Sequence, residues 1–426
     1  MLTFLGARQG CCDGLSRRNF LQIGAFGAGL TLADQLRAKA LAADTPTTSA
    51  PHRPKSAIMI YLPGGPSHMD MYDMKPDAPA EFRGEFKPID TNVPGVRICE
   101  HMPLQSRIWD KCAVIRSVVA VDEHSDSAVM TGKSEAQNRT ANHPSFGSVV
   151  SRIRGNVANV PQFVSLRGMS RGTEPGFLGI NHRPFSPSGP GIGDLTALPQ
   201  VNATRQNDRR SMLEQFDSVR HDIDNSVSGL DEFTSRAFDM INSGGVRNAL
   251  DLTREPQESR ARYREVEQFL TARRLVEAGV GCVTLSIGSW DTHGQNFTSL
   301  KNQLPKVDRG VSALITDLVE RGLHDDVVVV MWGEFGRTPR INANAGRDHW
   351  APVMSAFVSG GGLKMGQAIG ASSSRGERPA DKRYTTPQVL ATLYRTIGID
   401  PARTFANGSG RPIYLVDDRE PVRELI

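Results

Sequence analysis

Two hydrophobic patterns alternate along the chain. Largely apolar runs of five to eight residues fall at 57–62, 112–119, 161–166, 283–287, 327–331 and 353–358. Runs of that kind predict strands buried on both faces, as in a parallel sheet. Between them, apolar positions recur at helical spacing. Phe146, Val149, Val150 and Ile153 follow a Ser145 cap, and Leu304, Val307, Val311, Leu314, Leu318 and Val319 share one face. The last helix covers 389–397, with Thr386 as its cap, Pro387 in its first turn and Gly398 as its stop. Residues 360–366 predict a turn into an edge hairpin.

The pattern changes between 168 and 278. Residues 168–200 form a long Gly/Pro-rich stretch of the kind used for lids and binding loops. Residues 205–278 read as helical, with Met212, Leu213, Phe216, Val219 and Ile223 on one face and a later Val266/Phe269/Leu270 stripe. Segment 168–260 is therefore expected to be an insertion or cap whose charges form a solvated face. The alternation of strands and helices predicts an α/β fold: a mostly parallel sheet with helices on both faces, in one domain over 56–426.

Four of the strands empty into polar loops. The first leads through Gly64-Gly65 to His68, Asp70 and Asp73, and the second leads to His124, Asp126, Ser127 and Thr131. Asp291 and His293 follow 283–287, and Glu334 and Arg337 follow 327–331, with Asp348 and His349 close behind. In open α/β sheets, ligands bind at the carboxyl ends of strands. Mixed carboxylate and imidazole donors suit zinc, manganese or iron, and paired ions can clamp both oxygens of an in-line displacement. Asp-x-His or Glu-x-x-Arg alone is a weak signal; four polar clusters at comparable strand ends form a stronger one. If Asp291, His293 and His349 lay more than about 10 Å apart they could not share an ion, since ligands sit about 2 Å from it.

The N-terminus reads as an address. Ser16-Arg17-Arg18-Asn19-Phe20-Leu21 is a twin-arginine pattern, followed by a mildly apolar stretch and by small residues at 38–43 that suit signal cleavage. The expected division is a signal over 1–43, a Thr/Pro-rich linker over 44–55 and the domain beyond. Export by this route places the protein in the periplasm or outside the cell, with no stable membrane span once the signal is removed, because about 20 apolar residues are needed to cross. The signal also explains the charge. Five cations and two acids give residues 1–43 a net +3, so the whole-chain +4 leaves about +1 for the rest. Such a balance provides no global field for nucleic acid. Beyond the signal only Cys99, Cys112 and Cys282 remain, enough for at most one disulfide, and Cys282 reads as plain core. Gly64-Gly65 is not a dinucleotide fingerprint.

Four motifs occur in order: Gly64-Gly-Pro-Ser-His-Met-Asp70, Trp290-Asp-Thr-His-Gly294, Gly333-Glu-Phe-Gly-Arg-Thr-Pro339 and Gly346-Arg-Asp-His-Trp350. In them the chain resembles an uncharacterised, twin-arginine-exported, sulfatase-like bacterial family grouped with the alkaline phosphatase superfamily. The resemblance implies an αβα sandwich with a metal-bearing site at the strand ends. It implies that Asp291, His293, Glu334 and His349 hold metal, with His68 and Asp70 or Asp73 from the first loop. Asp126-Ser127-Ala128 resembles the superfamily's nucleophile sequence, with Thr131 a nearby rival, and Ala351-Pro-Val353 follows His349 as in the superfamily.

Three departures stand out. Gly64-Gly65 occupies the place of the first acidic ligand, Phe335 occupies that of a histidine, and Asp291 and His293 are separated by one residue rather than three. The formylglycine signature C/S-x-P-x-R occurs only as Ser49-Ala-Pro-His-Arg53, before the first strand, which argues against a formylglycine sulfatase. The expected function is an exported hydrolase of phosphate or sulfate esters on small molecules or glycans. It would use one or two divalent ions, zinc or manganese, with Ser127 or Thr131 as nucleophile, His124 as general acid/base or ligand, and Arg337 stabilising charge on the transferred group. The alternative is a non-catalytic binding or structural protein on a degenerate version of the fold.

Overall fold

The computed structural model describes residues 55–155, 160–187 and 244–426. The expected signal, the 49–53 motif and the 212–223 helix face lie outside them. Residues Pro54–Ile426 form one compact unit.

The strand β1 (Ser56–Tyr61) shows why this sequence makes a layered fold. All six residues are buried, and successive side chains point to opposite faces of a strand. Ile58 and Ile60 therefore enter one core, while Ala57, Met59 and Tyr61 enter another. In β7 (Val327–Trp332), Val327, Val329 and Met331 face the first core, and Val328, Val330 and Trp332 the second. A strand buried twice over has no polar face to offer, which accounts for the four consecutive valines. Truncating one of them to alanine would cost about 2 kcal/mol or more.

Between β1 and β7 in sequence come the small hairpin β2 (Pro88–Asp90) and β3 (Arg97–Cys99), then β4 (Cys112–Val119), β5 (Phe163–Ser165) and β6 (Cys282–Ser286). A two-residue pair, β8 (Gly336–Arg337) and β9 (His349–Trp350), precedes β10 (Met354–Gly360), β11 (Gln367–Ile369) and β12 (Tyr384–Thr385). A last hairpin joins β13 (Thr404–Ala406) and β14 (Pro412–Tyr414). The main sheet has the order β11-β4-β10-β7-β1-β6-β5, with β12 also on β4. Of these strands β10 alone is antiparallel to both neighbours; the other pairings are parallel. The expected hairpin after 360–366 does not form, because β10 pairs with β4 and β7 while β11 joins the far side of β4.

Among the described residues, helices cover both faces. The first core takes Phe269, Leu270 and Leu275 of α2 (Glu267–Glu277) and Leu304, Val311 and Leu318 of α3 (Asn296–Glu320). The second takes Phe146, Val149 and Val150 of α1 (Phe146–Arg154) and Val389, Leu390 and Leu393 of α4 (Thr386–Thr396). This is an αβα sandwich on a mostly parallel sheet. No helix among the described residues is long and apolar enough to cross a membrane.

Two local expectations are corrected. The cap of α4 is Thr385 rather than Thr386, because only Thr385 stands three residues before Gln388, with which it closes a capping box. The charges around 254–278 are not all solvated. Arg273 is fully buried and bonds Glu255 at 2.6 Å and Glu277 at 2.8 Å, with Asp317 3.2 Å away, so this segment is tied to α3 by an interior ion network. Cys99, Cys112 and Cys282 are all buried and free.

Candidate metal centre

The reversed direction of β10 decides where the polar loops meet. It brings the amino end of β10 to the same sheet edge as the carboxyl ends of β1, β4, β6 and β7. Backbone bonds then tie the loops together. Trp290 N–H donates to Pro63 O at 2.8 Å, Ala120 N–H to Ala351 O at 2.9 Å, and Arg347 N–H to Thr292 O at 3.0 Å. The pairing of β8 with β9 sets Arg337 opposite His349. Gly64 and Gly65 have φ values of +101° and +77°, and a Cβ on either would run into the Asp291 backbone or the Phe335 ring. Glycine is needed here both for the backbone conformation and for the close approach.

At that edge His124, Asp291, His293 and His349 place one donor atom each within 4.8 Å of one another. Nε2 of His293 lies 3.0 Å from Asp291 Oδ1, Nε2 of His349 lies 3.4 Å from it, and Nε2 of His124 lies 3.9 Å from it. The two nitrogens of His293 and His349 are 3.1 Å apart. Four donors at about 2.0–2.2 Å from one ion in tetrahedral geometry would be roughly 3.3–3.6 Å apart. The observed spacings bracket that value, and three imidazoles with one carboxylate form a donor set that suits zinc.

The opposite side of each imidazole strengthens the fit. Nδ1 of His293 is 2.7 Å from Asp348 Oδ1, Nδ1 of His124 is 3.5 Å from Glu334 Oε1, and Nδ1 of His349 is 3.6 Å from Asp122 Oδ1. The bonded carboxylate of Asp348 keeps the proton on Nδ1 of His293 and leaves its Nε2 with a lone pair toward the centre, while Glu334 and Asp122 set negative charge behind the other two rings. Burial first, and then the neighbouring His124 and Arg337, hold His349 below the ordinary histidine value, so its ring is neutral at neutral pH. Partial burial alone would raise Asp291, but the hydrogen bond and charge of Arg337 outweigh it and hold the carboxyl below its usual range. The bond from His293 likewise holds Asp348 down. Four carboxylates and one guanidinium leave the group net negative, which favours a divalent cation.

Phe335, where the resemblance expects a histidine, packs its ring 4.4 Å from that of His349 and 5.2 Å from that of His124. It acts as a wall that restricts how both rings turn.

The other expected site residues are placed differently. Asp70 is fully buried; its oxygens accept from Arg347 at 2.8 and 3.0 Å, Asn296 at 2.9 Å and Ser67 at 2.6 Å. Asp73 is taken by Lys75 and by the backbone and hydroxyl of Ser372. His68 is buried with Nε2 on Gly376 O at 2.9 Å. Through these bonds the three residues fasten the first loop. Glu334 contributes behind His124, and its Oε1 also accepts from Gly64 N–H at 2.8 Å.

Ser127 and Thr131, the expected nucleophiles, lie in a closed setting. Ser127 is completely buried at the start of a short helix, with Thr131 at 3.5 Å and Asn138 at 3.4 Å from its hydroxyl, and Thr131 donates to Ser127 O at 2.8 Å. Arg337, the expected anion stabiliser, is turned inward. It is buried, and its donors go to Gly64 O, Gly65 O, Arg347 O and Asp291 Oδ1, the last at 2.6 Å. It clamps Asp291 to the glycine loop and keeps no open face for a substrate.

Sequence reading missed Asp122 and missed the role of Asp348. Both precede a histidine by two residues or one, which was the available signal. Adjacency misleads, however: Asp348 serves His293 and Asp122 serves His349, and only tertiary structure makes those assignments.

A family described as "Protein of unknown function (DUF1501)" matches residues 54–426. None of the curated proteins compared matches the chain. Among solved structures, the chain is similar to the PsFucS1 sulfatase from Pseudoalteromonas sp., at 11% identity and a TM-score of 0.39, covering 82% of this chain and 68% of that one. It is also similar to the lipoteichoic acid synthase LtaP from Listeria monocytogenes, at 11% identity and a TM-score of 0.35, covering 86% and 76%. A third likeness is to BT4656 in complex with D-glucosamine-2-N,6-O-disulfate, at 11% identity and a TM-score of 0.36, covering 88% and 82%.

Proposed function

From the premise that the chain belongs to the DUF1501 family, we propose that it is an exported metalloprotein of the alkaline phosphatase superfamily that hydrolyses phosphate or sulfate esters. The observation that carries this reading is the convergence of three Nε2 atoms on Asp291 Oδ1, with a carboxylate near each Nδ1. His124, Asp291, His293 and His349 would hold one divalent ion, with zinc best suited to the donor set. Such an ion supplies Lewis acidity at an ester oxygen and lowers the pKa of water.

The chain's own residues have supporting tasks. Asp348 keeps the His293 imidazole in one tautomer, and Glu334 and Asp122 place negative charge behind His124 and His349. Arg337 fixes Asp291 against the glycine loop, and Phe335 limits ring rotation. With the Ser127 and Thr131 hydroxyls buried, water is the nucleophile. The side chains of His124 and His293 are each 48% exposed, which leaves an approach for substrate from solvent.

The test is turnover of a panel of aryl and sugar phosphate and sulfate monoesters by metal-loaded protein, its chelated form and the His349→Ala variant. Hydrolysis by the loaded protein alone is expected. A protein that binds metal yet turns over nothing in the panel would instead favour the second reading, a non-catalytic binding protein. The observation behind that reading is that neither a candidate nucleophile hydroxyl nor Arg337 is open to substrate.

A further inference from the structure

Beside the centre lies a cleft of about 420 Å³ lined by Val119, Pro352 and residues Arg378 to Arg383. Two of its walls belong to segments that carry the candidate ligands. Val119 closes β4 just before Asp122 and His124, and Pro352 stands three residues after His349. The third wall is the 378–383 segment, and its backbone is firmly held. Ser117 Oγ donates to Lys382 O at 2.7 Å, Ala371 N–H donates to Asp381 Oδ1 at 2.8 Å, and Ala380 N–H donates to Ala371 O at 2.8 Å. Trp350, next to His349, donates its indole N–H to Glu377 O at 2.8 Å, which docks this segment beside the centre.

The charges in the cleft are unequal. Asp381 is occupied by the Ala371 amide, and Lys382 pairs with Glu424 at 3.2 Å. Arg378 and Arg383 are exposed, and neither has a side-chain partner among the described residues. Two unpaired guanidinium groups on an anchored backbone, in a cleft large enough for a small molecule, form a recognition surface for oxyanions. Each presents a planar fork of donors matched to carboxylate, sulfate or phosphate.

We propose that Arg378 and Arg383 form a second binding subsite, which takes a further oxyanion of a multiply charged ligand whose reacting group lies at the metal centre. The subsite rests on the proposed function for its role but not for its existence. It adds guanidinium recognition beside a centre whose own Arg337 is consumed internally.

The experiment measures binding of sucrose octasulfate, inositol hexakisphosphate and plain sucrose to the full chain by calorimetry. Wild-type protein is expected to bind one or both polyanions and not sucrose; which polyanion binds tells sulfate from phosphate as the preferred oxyanion. The double variant Arg378→Ala/Arg383→Ala is expected to weaken that binding roughly two- to thirtyfold, the range for two exposed charge contacts, with unchanged metal content. A control double variant on α3, Lys306→Ala/Arg309→Ala, removes the same charge and is expected to weaken binding less than about twofold. The His349→Ala variant is expected to keep polyanion binding, so loss of the centre and loss of the subsite are read separately. Equal loss in the control, equal binding of sucrose, or no polyanion binding by wild type would overturn the subsite.

Discussion

Asp348 and His293 are 55 positions apart, yet Asp348 Oδ1 and His293 Nδ1 are 2.7 Å apart, and that contact determines which face of the imidazole is free. The carboxylate retains the Nδ1 proton, and Nε2 is left to point at Asp291, His349 and the gap between them. Removing it leaves the ligand in place but not its orientation. Asp348→Ala is therefore expected to weaken zinc binding about 10- to 100-fold, read by competition with a chromophoric chelator. An unchanged affinity would mean that His293 is oriented by something else.

Arg337 is the clamp behind Asp291. Substituting methionine removes four hydrogen bonds and strands the carbonyls of Gly64, Gly65 and Arg347. Arg337→Met should lower stability by about 3 kcal/mol or more, measured by urea unfolding, and should weaken metal binding as Asp291 loses its anchor. Arg337→Lys should recover little, since a lysine cannot reach acceptors in several directions at once.

Gly64 sits where any side chain would press on the Asp291 backbone. Gly64→Ala is expected to reduce metal affinity and to lower the melting temperature, whereas alanine at Gly95, which has open space around it, should cost stability alone, through its positive φ. Equal effects on metal binding at both positions would detach the glycine loop from the site.

Ser127→Ala should leave metal content unchanged and any ester hydrolysis within about twofold, because the hydroxyl is buried and bonded within its own neighbourhood. Loss of hydrolysis by several orders of magnitude, the usual signature of a missing nucleophile, would restore Ser127 to the role that its sequence context implied.

His68 provides a pH prediction for stability. Burial holds it below the ordinary histidine value, against the opposing pull of Asp73, and Nε2–H donates to Gly376 O while Nδ1 has no partner. The folded chain thus keeps His68 neutral where the unfolded chain would protonate it. Below about pH 6.5 the unfolded state binds the extra proton, so stability is full above that value and falls as pH drops, by up to ~1.4 kcal/mol per pH unit for this group. His68→Gln, which retains a donor for Gly376 O, should flatten the acid limb of the stability profile by up to one proton. An unchanged limb would mean that His68 is already charged in the fold.

How much of this was legible in the chain depends on whether the signal was local. The core strands were readable because a doubly covered strand needs apolar residues at every position, as in Val327–Trp332. The direction of β10 was not, since a buried antiparallel strand between parallel ones has the same apolar run. Thr385 and Thr386 were equally good caps until Gln388 is seen to close its box with the first. At the site, Asp291, His293 and His349 were marked by their place after strands. The partnership of Asp348 with His293, the burial of Ser127 and the consumption of Arg337 depend on contacts between distant segments, and no spacing in the sequence encodes them.

The most direct measurement is equilibrium dialysis against zinc, with metal per chain determined by elemental analysis, for wild type and for Asp291→Ala, His293→Ala and His349→Ala. One tightly held ion per wild-type chain is expected, lost or strongly weakened in all three variants while each remains folded. Wild-type protein that stays metal-free in metal-replete buffer, or three variants that retain the ion, would contradict a metal centre built on these residues.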